Sequence, residues 1–235
     1  MKDAFSTIAR FLLGGVCHQL PDRCLQYEEQ ALPLCARCTG TFLGAMIALL
    51  ILWAMRQGRR SQLPTWRLGL ILAVLVGLWG VDGVNSLAQL VLGAPLLYEP
   101  RNSLRLATGM GFGLTIGIVI YPIYHSAMWR EVRDKPILDR EWLVAVPLLA
   151  GTVCIAILLG WRSAPYGLWL AVVSLAVLAV LALANATFIA LLRHKAGFAG
   201  HWSEIVPLLL VGLLAALVEM GLLGLLRLFV LREWP

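Results

Sequence analysis

LGLILAVLVGLWGVDGVNSLAQLVLG, residues 68–93, is the stretch that decides the fold class of this chain. It runs for 26 residues and contains a single charged side chain, Asp82. About 20 helical residues cross the roughly 30 Å of hydrocarbon in a bilayer. Because lipid offers no hydrogen-bond partners to an open backbone, we predict that this stretch is a transmembrane helix.

Five further apolar stretches are long enough to span, and they lie near 38–55, 104–124, 142–160, 166–192 and 205–230. Of the 235 residues, 60% are hydrophobic and only 14% are charged, whereas soluble domains average about 25% charged residues. This composition excludes an ordinary soluble enzyme, a disordered chain and a nucleic-acid-binding protein. We therefore predict an all-α, polytopic membrane helix bundle of six transmembrane helices, with an interfacial, cysteine-rich segment at its N-terminus.

The predicted organisation has three parts: an interfacial helix and Cys/His segment (1–37), a three-helix core (38–125) and a C-terminal three-helix half (126–235). The apolar run FSTIARFLLGGV, residues 5–16, is too short to span, so we expect it to lie in the interface or to dock on the bundle. Six spans put both termini on one side, here called side A. The loops of the opposite side, side B, carry ten basic residues against nine on side A, so the positive-inside rule favours an extracytoplasmic cysteine segment.

The segment VCHQLPDRCLQYEEQALPLCARCTG, residues 16–40, holds four of the five cysteines. Zinc takes four sulfur or nitrogen ligands in a tetrahedron, and paired ligands two residues apart are typical of such sites. Cys35 and Cys38 supply one pair, and Cys17 with His18 or Cys24 supplies the rest. The spacing therefore predicts a zinc-type metal site at side A.

Two other interpretations of the same cysteines stay open. In the first, Cys35 and Cys38 cycle between dithiol and disulfide, because the amide dipoles at a helix N-terminus lower the pKa of a cysteine there. Cys17 and Cys24 would then form a second, relaying pair, as in a membrane oxidase that passes electrons to quinone. In the second interpretation, the cysteines form structural disulfides that cross-link the segment in an oxidising compartment. The fifth cysteine, Cys154, lies alone in an apolar span and is predicted to be a core residue.

Polar residues in the second and third spans predict a pocket below the cysteines. Asp82, Asn85, Ser86 and Gln89 recur at i, i+3, i+4 and i+7, which is one helix face. A lipid-facing Asp costs several kcal/mol, so this face must look into the bundle or a wet cavity. The next connection adds Arg101, Asn102 and Arg105 at the side A end of the third span, with Arg105 as the expected partner of Asp82 or of an anionic ligand. The expected ligand of this pocket is a lipid headgroup, a quinone or a neighbouring protein.

Small residues predict close packing of the first three spans. Glycine recurs every fourth residue at 109, 113 and 117, and the first span repeats small residues at 40, 44 and 48. This spacing lets helix backbones approach closely. In the sixth span, Glu219 lies at a depth similar to that of Asp82, and such an intramembrane acid indicates either a function or a hydrogen bond that fixes packing.

Two motifs together resemble a known family. CHQLPDRC followed by LPLCARCTGTFLG, and GVDGVNSLAQL followed by PRNSLRLATG, are similar to the two signatures of a prokaryotic family of predicted membrane proteins, domain of unknown function 2085. The resemblance covers residues 17–117, under half of the chain. It implies a prokaryotic plasma membrane and favours Cys17, His18, Cys35 and Cys38 as the shared ligand set, because the family usually has Ser or Thr at the position of Cys24. It implies no activity.

Three functional hypotheses follow. The leading one is a binding or structural subunit of a membrane assembly, in which the metal orders the segment before the first span. The second is a membrane thiol-disulfide oxidoreductase coupled to quinone, with Cys35 and Cys38 as its reacting thiols. The third is an ion or solute carrier, which depends on Asp82 and Glu219. The expected partners are the lipid bilayer and other membrane subunits, with no nucleic acid.

Overall fold

The protein is an all-α membrane bundle, here described from a computed structural model that covers residues 2–193 and 197–231. Six of its helices are long and apolar enough to cross a membrane, in agreement with the sequence prediction. The helices are α1 (Lys2–Leu13), α2 (Ala36–Ala54), α3 (Trp66–Leu92), α4 (Asn102–Met128), α5 (Ala145–Gly160), α6 (Tyr166–Leu192) and α7 (Trp202–Leu231).

Two small sheets lie outside the spans, and neither is expected from the sequence pattern. On side A, β1 (Cys24–Tyr27) and β2 (Gln30–Cys35) form an antiparallel hairpin whose turn places Glu28 and Glu29 in the left-handed region. On side B, β3 (Arg60–Gln62) and β4 (Arg133–Pro136) pair in parallel. Short 3-10 turns cover Pro21–Arg23 and Glu141–Val144. The hairpin matters for function because β2 leads directly into α2.

The centre of the bundle is the α2–α4 pair, whose backbones touch. A Cβ atom at Gly113 would collide with the carbonyl oxygen of Thr41, and one at Gly40 would collide with that of Leu106. At Gly117 the same atom would lie 2.6 Å from the carbonyl oxygen of Ala45. Glycine at these positions removes the side chain that would hold the helices apart, so the predicted close approach is confirmed for the first and third spans.

The second span differs from the predicted tight unit. Helix α3 packs on α4, whereas its glycines 69, 77, 80 and 83 have open space where a Cβ would lie. Its outer face is exposed and apolar, as at Val74 and Leu78. The glycines of α3 therefore do not mediate helix contact, and α3 reaches α2 through polar side chains instead.

The C-terminal half adds α5, α6 and α7 around this centre. Helix α7 packs along α6, and α1 docks on α7 while leaving Phe5 and Ile8 exposed. The N-terminal helix is thus both docked and open to the interface, which combines the two predicted alternatives. Glu219 lies exposed on α7, where its carboxylate accepts a hydrogen bond of 3.3 Å from the Asn185 amide.

Candidate functional site

Three of the four clustered cysteines come together at the side A end of α2. The sulfur atoms of Cys17, Cys35 and Cys38 all lie within 4.8 Å of one another. Cys17 is buried in the loop after α1, Cys35 is the residue that caps the N-terminus of α2, and Cys38 follows one helical turn later. Residues separated by 18 positions in the chain therefore meet because the β1–β2 hairpin folds back between them.

Backbone amides stabilise negative charge on this cluster. The N–H of Cys35 donates to Cys17 Sγ at 3.1 Å, and the N–H of Cys38 donates to Cys35 Sγ at 3.5 Å. Hydrogen bonds from the Cys17 and Cys38 thiols, with the nearby Arg37 charge, hold the pKa of Cys35 well below its usual range. The thiol of Cys17 donates to Cys35, which raises the pKa of Cys17 to about 11. The cluster thus carries its first negative charge on Cys35.

The other two predicted ligands lie beside the cluster. Cys24 pairs with Cys35 across the hairpin, but its thiol donates to the carbonyl oxygen of Leu20 at 3.1 Å. Burial raises the pKa of Cys24 to about 12. His18 is exposed and lines the same cavity as the three clustered thiols. The structure therefore groups three of the predicted ligands and places His18 and Cys24 at their edge.

Contacts from distant helices fix the hairpin and the loop that carry these thiols. The Glu28 carboxylate accepts the Tyr166 N–H at the start of α6 (2.9 Å), and the Tyr27 hydroxyl donates to the carbonyl oxygen of Leu158 in α5 (2.6 Å). Arg227 of α7 donates to the carbonyl oxygen of His18 at 3.0 Å and to the Gln19 side chain at 2.9 Å. The C-terminal half thereby positions the cysteine segment.

The buried carboxylate of Asp82 has a different partner from the one predicted. Arg37, which lies between Cys35 and Cys38, forms the ion pair with Asp82. The Tyr98 hydroxyl also donates to Asp82, at 2.9 Å. The prediction that Arg105 pairs with Asp82 is thus wrong. The first turn of α2 projects the Arg37 side chain across to α3, and Arg37 takes the position beside Asp82.

Arg105 instead joins the third span to its neighbours. Its guanidinium donates to the Ser86 hydroxyl at 3.4 Å and to the Asn102 side chain at 3.0 Å. The Asn102 amide in turn donates to the carbonyl oxygen of Asp22 at 3.0 Å. Together these bonds connect α3, α4 and the turn that precedes β1.

The remaining members of the predicted pocket lie elsewhere. Asn85 accepts the N–H groups of Leu96 and Leu97 at 2.9 and 2.8 Å and donates to the carbonyl oxygen of Tyr98 at 2.8 Å. Its amide is therefore occupied in fixing the α3–α4 loop. The side chain of Gln89 is half-buried, and that of Arg101 is exposed at the start of α4. The cavity that contains the three clustered thiols is not lined by Asn85, Gln89 or Arg101.

A cavity of about 310 Å³ connects the thiols to the polar face of α3. Its polar wall holds three guanidinium groups and one hydroxyl, and its outer wall is apolar. The lining residues are Cys17, His18, Leu20, Arg23, Cys35, Arg37, Cys38, Gly83, Ser86, Leu87, Leu90 and Arg105. Leu87 and Leu90 are more than half exposed on the outer face of α3, so the cavity lies between a cationic, thiol-bearing wall and the lipid-facing surface.

The predicted pocket does not include three residues that lie at this site: Arg23, Arg37 and Tyr98. Arg37 carries a recognisable signal, since it is a charged residue between two cysteines at the very start of a span and forms part of the quoted CARC motif. Arg23 likewise lies within CHQLPDRC. Tyr98 lies in the α3–α4 loop, and nothing in the local pattern distinguishes it from an interfacial aromatic residue.

The family resemblance is confirmed by comparison with known proteins. Residues 17–119 match the model of a family described as predicted membrane protein (DUF2085). The matched region begins at Cys17 and includes the thiol cluster, Asp82 and Arg105. The helices α5, α6 and α7 lie beyond the matched region. The contacts that these helices make with the cysteine segment therefore come from residues outside the family match.

Two archaeal proteins are each similar to about half of the chain. An uncharacterized protein of Methanocaldococcus jannaschii is 27% identical over 119 residues, which cover 50% of this chain and 69% of that protein. An uncharacterized protein of Methanothermobacter thermautotrophicus is 27% identical over 110 residues, covering 47% of this chain and 88% of that protein. No solved structure gives a significant match.

Proposed function

We propose that Cys17, Cys35 and Cys38 bind a zinc-type ion that caps the arginine-lined cavity, and that the protein acts as a binding or structural subunit of a membrane assembly. The grouping of three sulfur atoms within 4.8 Å carries the proposal. A tetrahedral zinc site with Zn–S bonds of about 2.3 Å separates its sulfurs by about 3.8 Å. The separations between the three sulfur atoms therefore need to shorten by at most about 1 Å to hold the ion.

Two residues are candidates for the fourth ligand of this site. His18 lines the cavity with the three thiols, and an imidazole nitrogen is a usual zinc ligand. Cys24 is the alternate donor, although its neutral thiol is engaged with the carbonyl oxygen of Leu20. We favour His18, because its side chain is exposed and lines the cavity with the three thiols.

The charge around the cluster supports a thiolate–metal site. Three thiolates and one divalent cation carry a net charge of −1. The guanidiniums of Arg23, Arg37 and Arg105 line the same cavity, and among the described residues Asp82 is the buried carboxylate that pairs with one of them, Arg37. Cationic neighbours favour the deprotonated cysteines that metal binding requires.

The bound ion would hold the region before the first span in a fixed position. Its ligands come from the loop after α1 and from the start of α2, so binding would fix the hairpin and one wall of the cavity. Metal binding that orders a segment in this way contributes directly to folding. We place this site on the extracytoplasmic face of a prokaryotic plasma membrane, with the cavity as the place for a lipid headgroup or a quinone.

Metal analysis of purified protein with single cysteine variants tests the proposal. The wild type should retain about one zinc per chain, and Cys17→Ser, Cys35→Ser and Cys38→Ser should each lose most of it. Cys154→Ser is the matched control, because Cys154 lies in α5 outside the cluster. His18→Ala against Cys24→Ser identifies the fourth ligand. A wild type without stoichiometric metal and with oxidised cysteines would overturn the proposal.

A second candidate is a thiol-disulfide oxidoreductase coupled to quinone, and the position of the CxxC motif favours it. Cys35 lies at the N-terminus of α2 with Cys38 one turn away, and Cys17 is within reach of both. In each cycle a substrate dithiol would be oxidised to a disulfide, while the Cys35–Cys38 disulfide is reduced. Quinone would then reoxidise the pair and take up two electrons and two protons. This activity should disappear in Cys35→Ser, and its absence from metal-free wild type would argue against it.

A further inference from the structure

The side B end of the bundle carries a second cavity, of about 470 Å³, where the chain leaves α2 and α4 and enters α7. Its cationic side chains are Arg56, Arg59 and Arg133. No carboxylate of the described residues lines it. It shares no residue with the thiol cluster, so what it binds is a separate question from the proposed metal site.

The backbone holds two of these arginines side by side. The N–H of Arg133 in β4 donates to the carbonyl oxygen of Arg59, which precedes β3, at 2.8 Å. The guanidinium of Arg59 stacks over the ring of Trp129 at 3.6 Å from its centroid. Arg56 follows α2 in the left-handed region, with φ of +51°. The three arginines line one cavity, and because like charges repel one another this arrangement favours a bound anion.

Two acidic residues of the same loops are paired with other arginines, and Asp134 accepts a hydrogen bond of 2.7 Å from the Gln62 amide. Asp139 forms an ion pair with Arg60 at 3.1 Å, and Glu141 forms one with Arg67 at 3.4 Å. Glu131 shares an adjoining cavity with Arg59 and Arg133 but makes no ion pair with them in the described part of the chain. Among the described residues, Arg56, Arg59 and Arg133 therefore have no carboxylate partner within ion-pair distance.

The walls of this cavity suit a group at the membrane surface. Trp53 and Trp202 line it and are 71% and 54% exposed, and exposed tryptophans at span ends lie at the depth of lipid headgroups. The Nδ1 atom of His125 is buried beside the cavity and has no hydrogen-bond partner among the described residues. An acceptor or donor on a ligand would satisfy it.

We propose that this cavity binds a phosphate group presented at the side B surface of the membrane. Planar guanidinium groups match phosphate oxygens in pairs, and basic pockets between transmembrane helices are suited to anionic headgroups. The phosphate belongs either to an anionic phospholipid or to a free phosphate in solution. The tryptophan walls favour the phospholipid.

Native mass spectrometry of the detergent-solubilised full chain tests this proposal with three probes: phosphatidylglycerol, phosphatidylcholine and inorganic phosphate. Phosphatidylglycerol should bind more tightly than phosphatidylcholine. Arg59→Gln and Arg133→Gln should each weaken it about fivefold, since one arginine near an anionic surface contributes about that factor. Lys135→Gln is the control, because Lys135 is exposed in β4 and outside the cavity.

The outcomes separate the sources of the phosphate. Competition by millimolar inorganic phosphate would assign the site to a soluble phosphate, and its failure to compete would assign the site to the lipid. Equal phosphatidylglycerol binding by wild type and the Arg59→Gln/Arg133→Gln double variant would overturn the proposal. An equal loss in Lys135→Gln would also overturn it, because the attraction would then be a general property of the basic surface. Unchanged unfolding temperatures in phosphatidylcholine would show that the variants remain folded.

Discussion

Arg37 and Asp82 form an ion pair that joins the start of α2 to the polar face of α3. The Asp82 side chain is fully buried, whereas that of Arg37 is 20% exposed toward the cavity. Arg37 also donates to the Ser86 hydroxyl at 2.9 Å. Because Arg37 stands between Cys35 and Cys38, this pair couples the placement of the thiols to the packing of α3.

Removing one partner of this pair should destabilise the bundle. Arg37→Ala leaves a buried carboxylate without its counter-charge, and we expect a loss of about 3 kcal/mol in unfolding free energy. Unfolding in detergent followed by circular dichroism measures it. Arg101→Ala is the control, because Arg101 is exposed at the start of α4. If Arg37→Ala and Arg101→Ala have the same effect, the ion pair is not a structural link.

The α2–α4 contact should tolerate no side chain at its glycines. Gly113→Ala places a Cβ against the carbonyl oxygen of Thr41, and overpacking of this kind costs about 2 kcal/mol. Gly77→Ala in α3 should change stability by less than about 0.5 kcal/mol, because nothing lies within 4 Å of its Cβ position. Thermal unfolding of the two variants compares them, and equal effects would contradict the packing described.

Asn85 should hold the α3–α4 loop in place. Asn85→Ala removes the acceptor for two backbone N–H groups and the donor to the carbonyl oxygen of Tyr98. Faster hydrogen exchange of the Leu96 and Leu97 amides is therefore expected, by about tenfold or more. Gln89→Ala, on the same face of α3, should leave those rates unchanged. Unaltered exchange in Asn85→Ala would mean that other contacts fix the loop.

The thiols of the chelator-treated, reduced protein should differ in alkylation rate. Thiolates react and thiols do not, so Cys35, whose pKa is lowered, should be modified first. Cys24 should be modified after Cys35, because burial raises the pKa of Cys24 to about 12. Below that pKa, each unit of added pH should raise the Cys24 rate about tenfold. Peptide mass spectrometry after timed iodoacetamide treatment reads the order, and a Cys24 rate equal to that of Cys35 would contradict it.

Hydrophobic length was enough to predict the six spans, because each must cover the same hydrocarbon thickness. Repeated glycines likewise predicted the approach of α2 and α4. The β1–β2 hairpin was not predicted, because its strands are short and its turn lacks a glycine. The left-handed residues of the turn are Glu28 and Glu29, a residue type that does not normally indicate such a turn. Its stability comes from tertiary contacts, such as that between Glu28 and Tyr166, which join residues far apart in sequence.

The cysteine cluster could be predicted in part from the sequence. The CxxC spacing paired Cys35 with Cys38, the family resemblance favoured Cys17 over Cys24, and these three sulfur atoms lie within 4.8 Å of one another. Helical periodicity placed Asp82 and Asn85 on one face but gave no information about which cation or loop would face them. The choice of Arg37 over Arg105 depends on how α2 and α3 are oriented around α4, and one sequence holds no direct signal for that orientation.

X-ray absorption at the zinc edge of the purified protein is the decisive measurement for the claim that three thiolates hold a metal ion. We expect about three sulfur neighbours at about 2.3 Å and one lighter donor at about 2.0 Å. Cys35→Ser should lower the sulfur count, while Cys154→Ser should leave it unchanged. A zinc-free protein whose sulfur-edge spectrum shows disulfides, with S–S bonds of about 2.05 Å, would contradict the claim.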